Sequence, residues 1–71
     1  MPRPNMSEVQ RAAILAGARQ AFARKGDSAT MADVAAAARV SQGLAYRYFN
    51  SKEEIYRALL SQAIAQAEQA T

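Results

Sequence analysis

The sequence contains neither cysteine nor histidine. Without cysteine it can form no disulfide and no thiolate metal site. Without histidine it lacks a common zinc ligand and the usual general base. Its carboxylates are scattered and it has no glycine-rich phosphate loop, so the residues offer no constellation for catalysis. We expect a protein that is not an enzyme and that needs neither a metal nor a cofactor.

Long apolar runs and aromatic side chains are also scarce. No run approaches the roughly 20 apolar residues of a membrane-spanning helix, and the polar start lacks the apolar core of a signal peptide. Only 7% of the 71 residues are aromatic, and alanine is the dominant apolar type. Because alanine is the best helix former and buries little area, the composition predicts one small all-α domain. The lack of a membrane-spanning run and of a signal peptide predicts that this domain is cytoplasmic.

Positive charge, in contrast, is in excess. The formal net charge is +3 and the sequence pI is about 9.8. Within the first 25 positions only Glu8 opposes the basic residues, which are Arg3, Arg11, Arg19, Arg24 and Lys25. A basic balance in a small helical domain favours a polyanionic partner. The alternative for the last three of these residues is a solvated helix face.

A first helix is predicted to follow a flexible arm over residues 1–6. Ser7 and Gln10 have the spacing of a capping box, and Gly26 is a typical residue just past a helix end. Gly17, inside the helix, is the kind of residue that lets another helix approach closely. Residues at helical spacing predict the apolar face, which comprises Val9, Ile14, Leu15, Ala18, Ala21 and Phe22.

Two short helices with a tight turn between them come next. Thr30, with Asp33 three positions later, caps the second helix, and Ser41 caps a third helix over residues 42–48. The turn is Arg39-Val40-Ser41, and small or apolar residues flank it on both sides: Val34, Ala35, Ala38 and Ala45. Two helices joined in this way lie nearly perpendicular, which predicts a helix-turn-helix.

The fourth helix is predicted to open at a second capping box, Ser51 with Glu54. Its apolar stripe, buried at the start and exposed toward the end, comprises Ile55, Leu59, Leu60, Ala63, Ile64 and Ala67. This stripe supports an alternative function, a helical protein-interaction module that docks on a partner helix. A membrane-surface helix is less favoured, because this helix carries three glutamates and little positive charge.

The outward face of the third helix carries the groups that indicate function. On helical spacing it comprises Gln42, Gly43, Leu44, Tyr46 and Arg47. Such side chains can hydrogen-bond base edges, touch a thymine methyl group or reach phosphates. Sequence-specific binding of double-stranded DNA is therefore the leading hypothesis.

An ordered set of residues runs through nearly the whole chain after the arm: Ile14-Leu15, Ala18, Phe22, Gly26, Thr30, Val34-Ala35 and the block Val40-Ser41-Gln42-Gly43-x2-Tyr46-x-Tyr48-Phe49-x-Ser51-Lys52-Glu53. Through these residues the sequence resembles the amino-terminal DNA-binding domain of the TetR family of bacterial transcriptional repressors. The resemblance implies a homeodomain-like three-helix core followed by the start of a longer fourth helix. It places a DNA-binding domain at residues 7–57, and a connecting helix at 58–71 toward an effector and dimerisation domain that is absent here.

The resemblance also implies how DNA is bound. The residues facing base edges would be Gln42, Gly43, Leu44 and Arg47. The residues contacting phosphates would be Thr30, Tyr46, Tyr48 and Lys52. Arg39 and Arg3 are further candidates, the latter through the minor groove. Alternatives stay open for several of them: helix packing for Leu44 and Tyr48, solvated charge for Arg39 and Arg47, and simple disorder for Arg3.

As partners, the resemblance implies a palindromic operator, a homodimer formed through the C-terminal domain, and a small-molecule effector bound there. It places the protein at the nucleoid in a bacterial cytoplasm. The sequence departs from the family at two positions. Arg39 stands where a glycine in the left-handed conformation is usual, at a cost of roughly 1 kcal/mol. Ala45 stands where a larger apolar residue is common, which predicts a lightly packed core beneath the third helix.

Overall fold

The chain is represented by a computed structural model that describes residues 5–69. Four α-helices follow one another over this range: α1 (Met6–Lys25), α2 (Met31–Ala38), α3 (Gln42–Tyr48) and α4 (Lys52–Gln69). A single 3-10 turn, Gly26–Ser28, links α1 to α2. The described residues include no strand, so the all-α prediction is confirmed.

The start of α1 differs from the prediction. Asn5, not Ser7, caps the helix, and its Oδ1 accepts a hydrogen bond of 2.8 Å from the Glu8 N–H. Asparagine is as good a cap as serine, and the earlier start adds a helical bond from the Val9 N–H to the Asn5 carbonyl. Asn5 and Met6 therefore belong to the helix rather than to the arm. Arg3 lies outside the described residues.

The core lies where α1 crosses α2 and meets the start of α4. Its largest fully buried side chains are Ile14, Leu15, Val34 and Ile55. Phe49 is buried with them, and Phe22 is half-buried with its ring edge-to-face against Tyr56. Val9, predicted as part of the apolar face of α1, is 47% exposed and does not join the core. It lies one turn before the helix reaches the core.

The backbones of α1 and α2 come into direct contact at Gly17. A Cβ atom at this position would lie 2.6 Å from the main-chain nitrogen of Ala38 and 2.7 Å from its Cβ. Both distances are far inside the 3.5–4.0 Å at which carbon atoms usually pack. The predicted close approach of a second helix at Gly17 is thus confirmed, and its partner is the last residue of α2.

A reciprocal capping box opens α2, as predicted. The Asp33 N–H donates to Thr30 Oγ1 at 3.2 Å, and the Thr30 N–H donates to Asp33 Oδ2 at 2.9 Å. Lys25, in the last turn of α1, forms a 3.1 Å ion pair with the other carboxylate oxygen. The Thr30 N–H first, and Lys25 after it, hold the pKa of Asp33 below its ordinary value of 3.8.

We predict that Asp33→Asn weakens the pH dependence of stability. Because the pKa of Asp33 is lowered on folding, the carboxylate stabilises the folded state above pH 3.8, and this stabilisation is lost as the pH falls through the lower, folded-state pKa. Urea unfolding of both proteins at pH 7 and pH 3 measures the effect. The wild type should be more stable than the variant at pH 7, and the difference should shrink at pH 3. A difference of equal size at both pH values would contradict the prediction.

The turn between α2 and α3 is held by backbone and cap bonds. Arg39 adopts the left-handed conformation, with φ 61° and ψ 40°, and its N–H donates to the carbonyl groups of Ala35 and Ala36. Val40 is half-buried and packs on the core. Ser41 caps α3 by accepting from the Leu44 N–H at 3.0 Å. The predicted bounds of α3 and its predicted cap are both confirmed.

The start of α4 uses Glu54 differently from a simple capping box. Ser51 Oγ accepts from the Glu54 N–H at 3.3 Å, but the Glu54 carboxylate accepts from the Asn50 N–H, at 2.8 Å. Farther along α4, Leu60 and Ile64 are exposed, so the apolar stripe leaves the core as predicted. No helix in the described range is long and apolar enough to cross a membrane.

Candidate nucleic-acid interface

Helix α3 presents one face to the core and the opposite face to solvent. Ala45 and, at the end of the helix, Phe49 are buried and fix its inner side. The solvent side, here named the α3 face, comprises Gln42, Gly43, Tyr46 and Arg47, and all four residues are exposed. The predicted outward orientation of these four is confirmed. Their contact with DNA stays a prediction.

The α3 face is not used by the fold itself. Within the described range, the side chains of Gln42, Tyr46 and Arg47 make no hydrogen bond or ion pair. At Gly43, a Cβ atom would find nothing within 4 Å. A glycine inside a short helix costs about 0.5–1 kcal/mol relative to alanine, and no intramolecular contact requires it here. Unpaired polar side chains surround the backbone at Gly43, which no side chain of the described residues covers. This arrangement suits the close approach of a ligand.

Leu44 was predicted to lie on the outward face with these four residues, but it is only half-exposed, and Tyr48 is half-buried as well. Tyr48 packs against the core, and its hydroxyl donates a 2.6 Å hydrogen bond to Gln10 Oε1 of α1. The structure therefore gives Tyr48 the packing role that was its alternative interpretation. The only proton of its hydroxyl is engaged inside the domain, and a contact with DNA stays a prediction.

Lys52 is also engaged inside the domain. Its ammonium group donates to the carbonyl oxygens of Asp27 and Ala29, the second at 3.3 Å. These bonds tie the start of α4 to the connection between α1 and α2. An ammonium group has three N–H donors, so one remains for a phosphate.

Two other residues predicted to contact DNA lie at the two ends of α2. The Thr30 hydroxyl serves the capping box, accepting from the Asp33 N–H and donating to its carboxylate at 3.1 Å. Arg39, at the opposite end of α2, is exposed, and its side chain has no partner among residues 5–69. The fold thus leaves Arg39 free for a ligand, whereas Thr30 would have to release Asp33 to donate elsewhere.

The charged side chains in and around α3 are all positive. Between Asp33 and Glu53 the sequence holds three basic residues, Arg39, Arg47 and Lys52, and no acidic one. The formal charge of segment 34–52 is therefore +3, as large as that of the whole chain. A helix-turn-helix with this charge suits a polyanion. No group of side chains in the described residues could hold a metal ion.

Sequence reasoning missed the partners of α3 on α1. Gln10 was assigned to a capping box with Ser7, and Arg11 was counted only as a charge. In the fold Gln10 binds Tyr48, and the Arg11 guanidinium lies 5.2 Å from the centre of the Phe49 ring. A signal was present in the sequence, because Gln10 lies one turn before the buried Ile14 and so is a polar residue next to the apolar face.

These features define a helix-turn-helix domain of the kind that DNA-binding regulators use. A family model described as bacterial regulatory proteins, tetR family, matches residues 14–59, about two thirds of the chain. The chain therefore belongs to the TetR family of bacterial regulatory proteins. This is a family of DNA-binding transcription regulators and not of enzymes. Searches of curated proteins and of solved structures gave no significant match.

Proposed function

We propose that the chain is the DNA-reading domain of a transcriptional repressor, with α3 lying in the major groove of a specific operator. The observation that carries this proposal is the exposed α3 face, whose side chains make no hydrogen bond or ion pair within the described residues. It lies in a segment with three positive charges and no negative one. The alternative, docking of a protein on the apolar stripe of α4, is not favoured by membership of a DNA-binding regulator family.

Base recognition is assigned to the first turn and the exposed side of α3. A glutamine such as Gln42 can bond adenine through two atoms, an arginine such as Arg47 can do the same with guanine, and Leu44 can contact a thymine methyl group. Gly43 lets the helix backbone come close to the bases. The half-buried Leu44 would reach DNA only with its outer atoms.

Phosphate binding is assigned to the residues around α3. Tyr46 offers a free hydroxyl, Arg39 a free guanidinium group, and Lys52 its third N–H. Thr30 would contribute after its hydroxyl turns away from Asp33. These contacts fix the position of the domain on the duplex without reading sequence.

The repressor is proposed to act as a homodimer, because a two-fold dimer of helix-turn-helix units matches a palindromic operator. Following the family resemblance, dimerisation and the effector site are assigned to a C-terminal domain. The proposed location is the nucleoid in the bacterial cytoplasm.

Selection from a random pool of DNA duplexes tests this function. The 71-residue chain should enrich one half-site, and two copies joined at their C-terminal ends should enrich a palindrome. If Arg39 and Lys52 contact phosphates as assigned, the logarithm of affinity should fall with the logarithm of salt concentration with a slope of about −2 for each domain. The proposal would be refuted if the protein retained no duplex at low salt, or if the amount of duplex retained did not change with salt concentration.

Replacing Arg39 with glycine should separate stability from DNA binding. The left-handed backbone of residue 39 favours glycine, so Arg39→Gly should raise the free energy of unfolding by about 1 kcal/mol. The same change removes a proposed phosphate contact, so affinity for every duplex should fall and the salt slope should shrink by about 1. Urea unfolding and salt titration of DNA binding measure the two effects. An unchanged salt slope would remove Arg39 from the interface.

A further inference from the structure

Two consecutive residues of α1 hold the far end of α3. Gln10 Oε1 accepts the 2.6 Å hydrogen bond from the Tyr48 hydroxyl, and the Arg11 guanidinium lies over the Phe49 ring. Tyr48 is the last residue of α3 and Phe49 is its C-cap. The hydrogen bond is partly buried and joins residues 38 positions apart in the sequence. It is therefore a tertiary contact and not a local consequence of helix formation.

The position of this bond matters because α3 is short and the bond holds the end opposite the turn, beside the buried Phe49. Among the helices, α3 lies chiefly against α2, to which the turn at Arg39 to Ser41 connects it. Seven residues of helix span about 10 Å. A rotation of about 10° at the turn would move the far end by about 2 Å, several times the tolerance of about 0.5 Å for a specific contact.

We infer that Gln10 is a positioning residue, which fixes through Tyr48 the angle at which α3 presents Tyr46 and Arg47 to DNA. The inference rests on the proposed function. A hydrogen bond is suited to this task because it is directional, whereas an apolar contact between the same helices would permit sliding. Arg11, stacked on the next aromatic ring, supports the same end of the helix.

Three variants test the inference. Gln10→Met keeps the length and the helix propensity of the side chain but removes the acceptor. Tyr48→Phe keeps the ring but removes the donor. Gln10→Glu keeps an acceptor and serves as the rescue. The primary readout is the specificity ratio, which is the affinity for the duplex selected by the wild type divided by the affinity for a scrambled duplex. The added charge of Gln10→Glu affects both affinities alike and cancels in this ratio.

The inference predicts a definite pattern of results. Gln10→Met and Tyr48→Phe should each lower the specificity ratio by about fivefold, the effect of losing one hydrogen bond. The double variant should be no worse than either single one, and Gln10→Glu should retain most of the wild-type ratio. A Tyr48→Phe variant that loses affinity for both duplexes equally, while Gln10→Met changes neither, would overturn the inference and make Tyr48 a phosphate contact.

A second readout needs no DNA. Amide chemical shifts of residues 42–48, measured by NMR, should move in Gln10→Met and return toward wild-type values in Gln10→Glu. Unchanged shifts in Gln10→Met would overturn the positioning role even if DNA is bound. If the wild type selects no duplex, the proposed function fails, and the shifts alone then decide whether Gln10 positions α3.

Discussion

Replacing Gly17 with alanine should lower the free energy of unfolding by about 2 kcal/mol. The new methyl group would lie within 2.8 Å of three atoms of Ala38, namely its nitrogen, Cα and Cβ. No rotation of a side chain can move these atoms, so α1 and α2 must separate by about 1 Å to reach normal contact. Alanine gains up to about 1 kcal/mol in helix propensity, which offsets only part of the loss.

Gly43→Ala is the matched control for this prediction. It makes the same chemical change inside a helix, but nothing lies within 4 Å of the new methyl group. Gly43→Ala should therefore raise stability by up to about 1 kcal/mol. Urea unfolding of the two variants beside the wild type measures both effects. If Gly17→Ala also proved stabilising, the close contact between α1 and α2 would not exist as described.

Helix ends were predictable where the signal is local. The caps at Thr30 and Ser41 each depend on a bond to a residue three positions later. Such a bond needs only the residue types and their spacing, so the bounds of α3 could be read from the sequence. The same logic was wrong at Asn5 and Ser7, because two good caps stand two positions apart and their local energies are similar. The start at Asn5 adds two residues to the helix and the bond from the Val9 N–H to the Asn5 carbonyl.

Contacts between distant parts of the chain were not predictable. The Lys52 ammonium group reaches a carbonyl 25 positions away, and the Tyr48 hydroxyl reaches Gln10 across 38 positions. Both side chains were expected at DNA, since lysine and tyrosine near a recognition helix are typical phosphate ligands. Their partners depend on how α1, α3 and α4 lie together, and spacing along one helix holds no information about that. The α3 face was predictable because it depends on helical periodicity alone.

Replacing Gln42 with alanine should change which DNA sequence is preferred while leaving the fold intact. Gln42 is exposed at the first position of α3 and has no partner in the described part of the chain, so stability should stay within about 0.5 kcal/mol of wild type. If Gln42 makes the proposed bidentate base contact, its loss should reduce discrimination by about 1–3 kcal/mol, which is roughly 5- to 150-fold at one base pair. Preference at the other base pairs should persist, because the rest of the α3 face is unchanged.

Tyr46→Phe provides the contrast, because it removes one hydroxyl from the same exposed face. In its proposed role as a phosphate ligand, Tyr46 would carry no sequence information. This variant should therefore bind the selected and the scrambled duplex about fivefold more weakly and should select the same sequence as the wild type. Repeating the selection from the random pool with each variant measures both outcomes. If Gln42→Ala instead selected the wild-type sequence unchanged and Tyr46→Phe selected a new one, the roles of the two residues would be reversed. Base reading would then lie in the second turn of α3, and the first turn would serve only to anchor the helix.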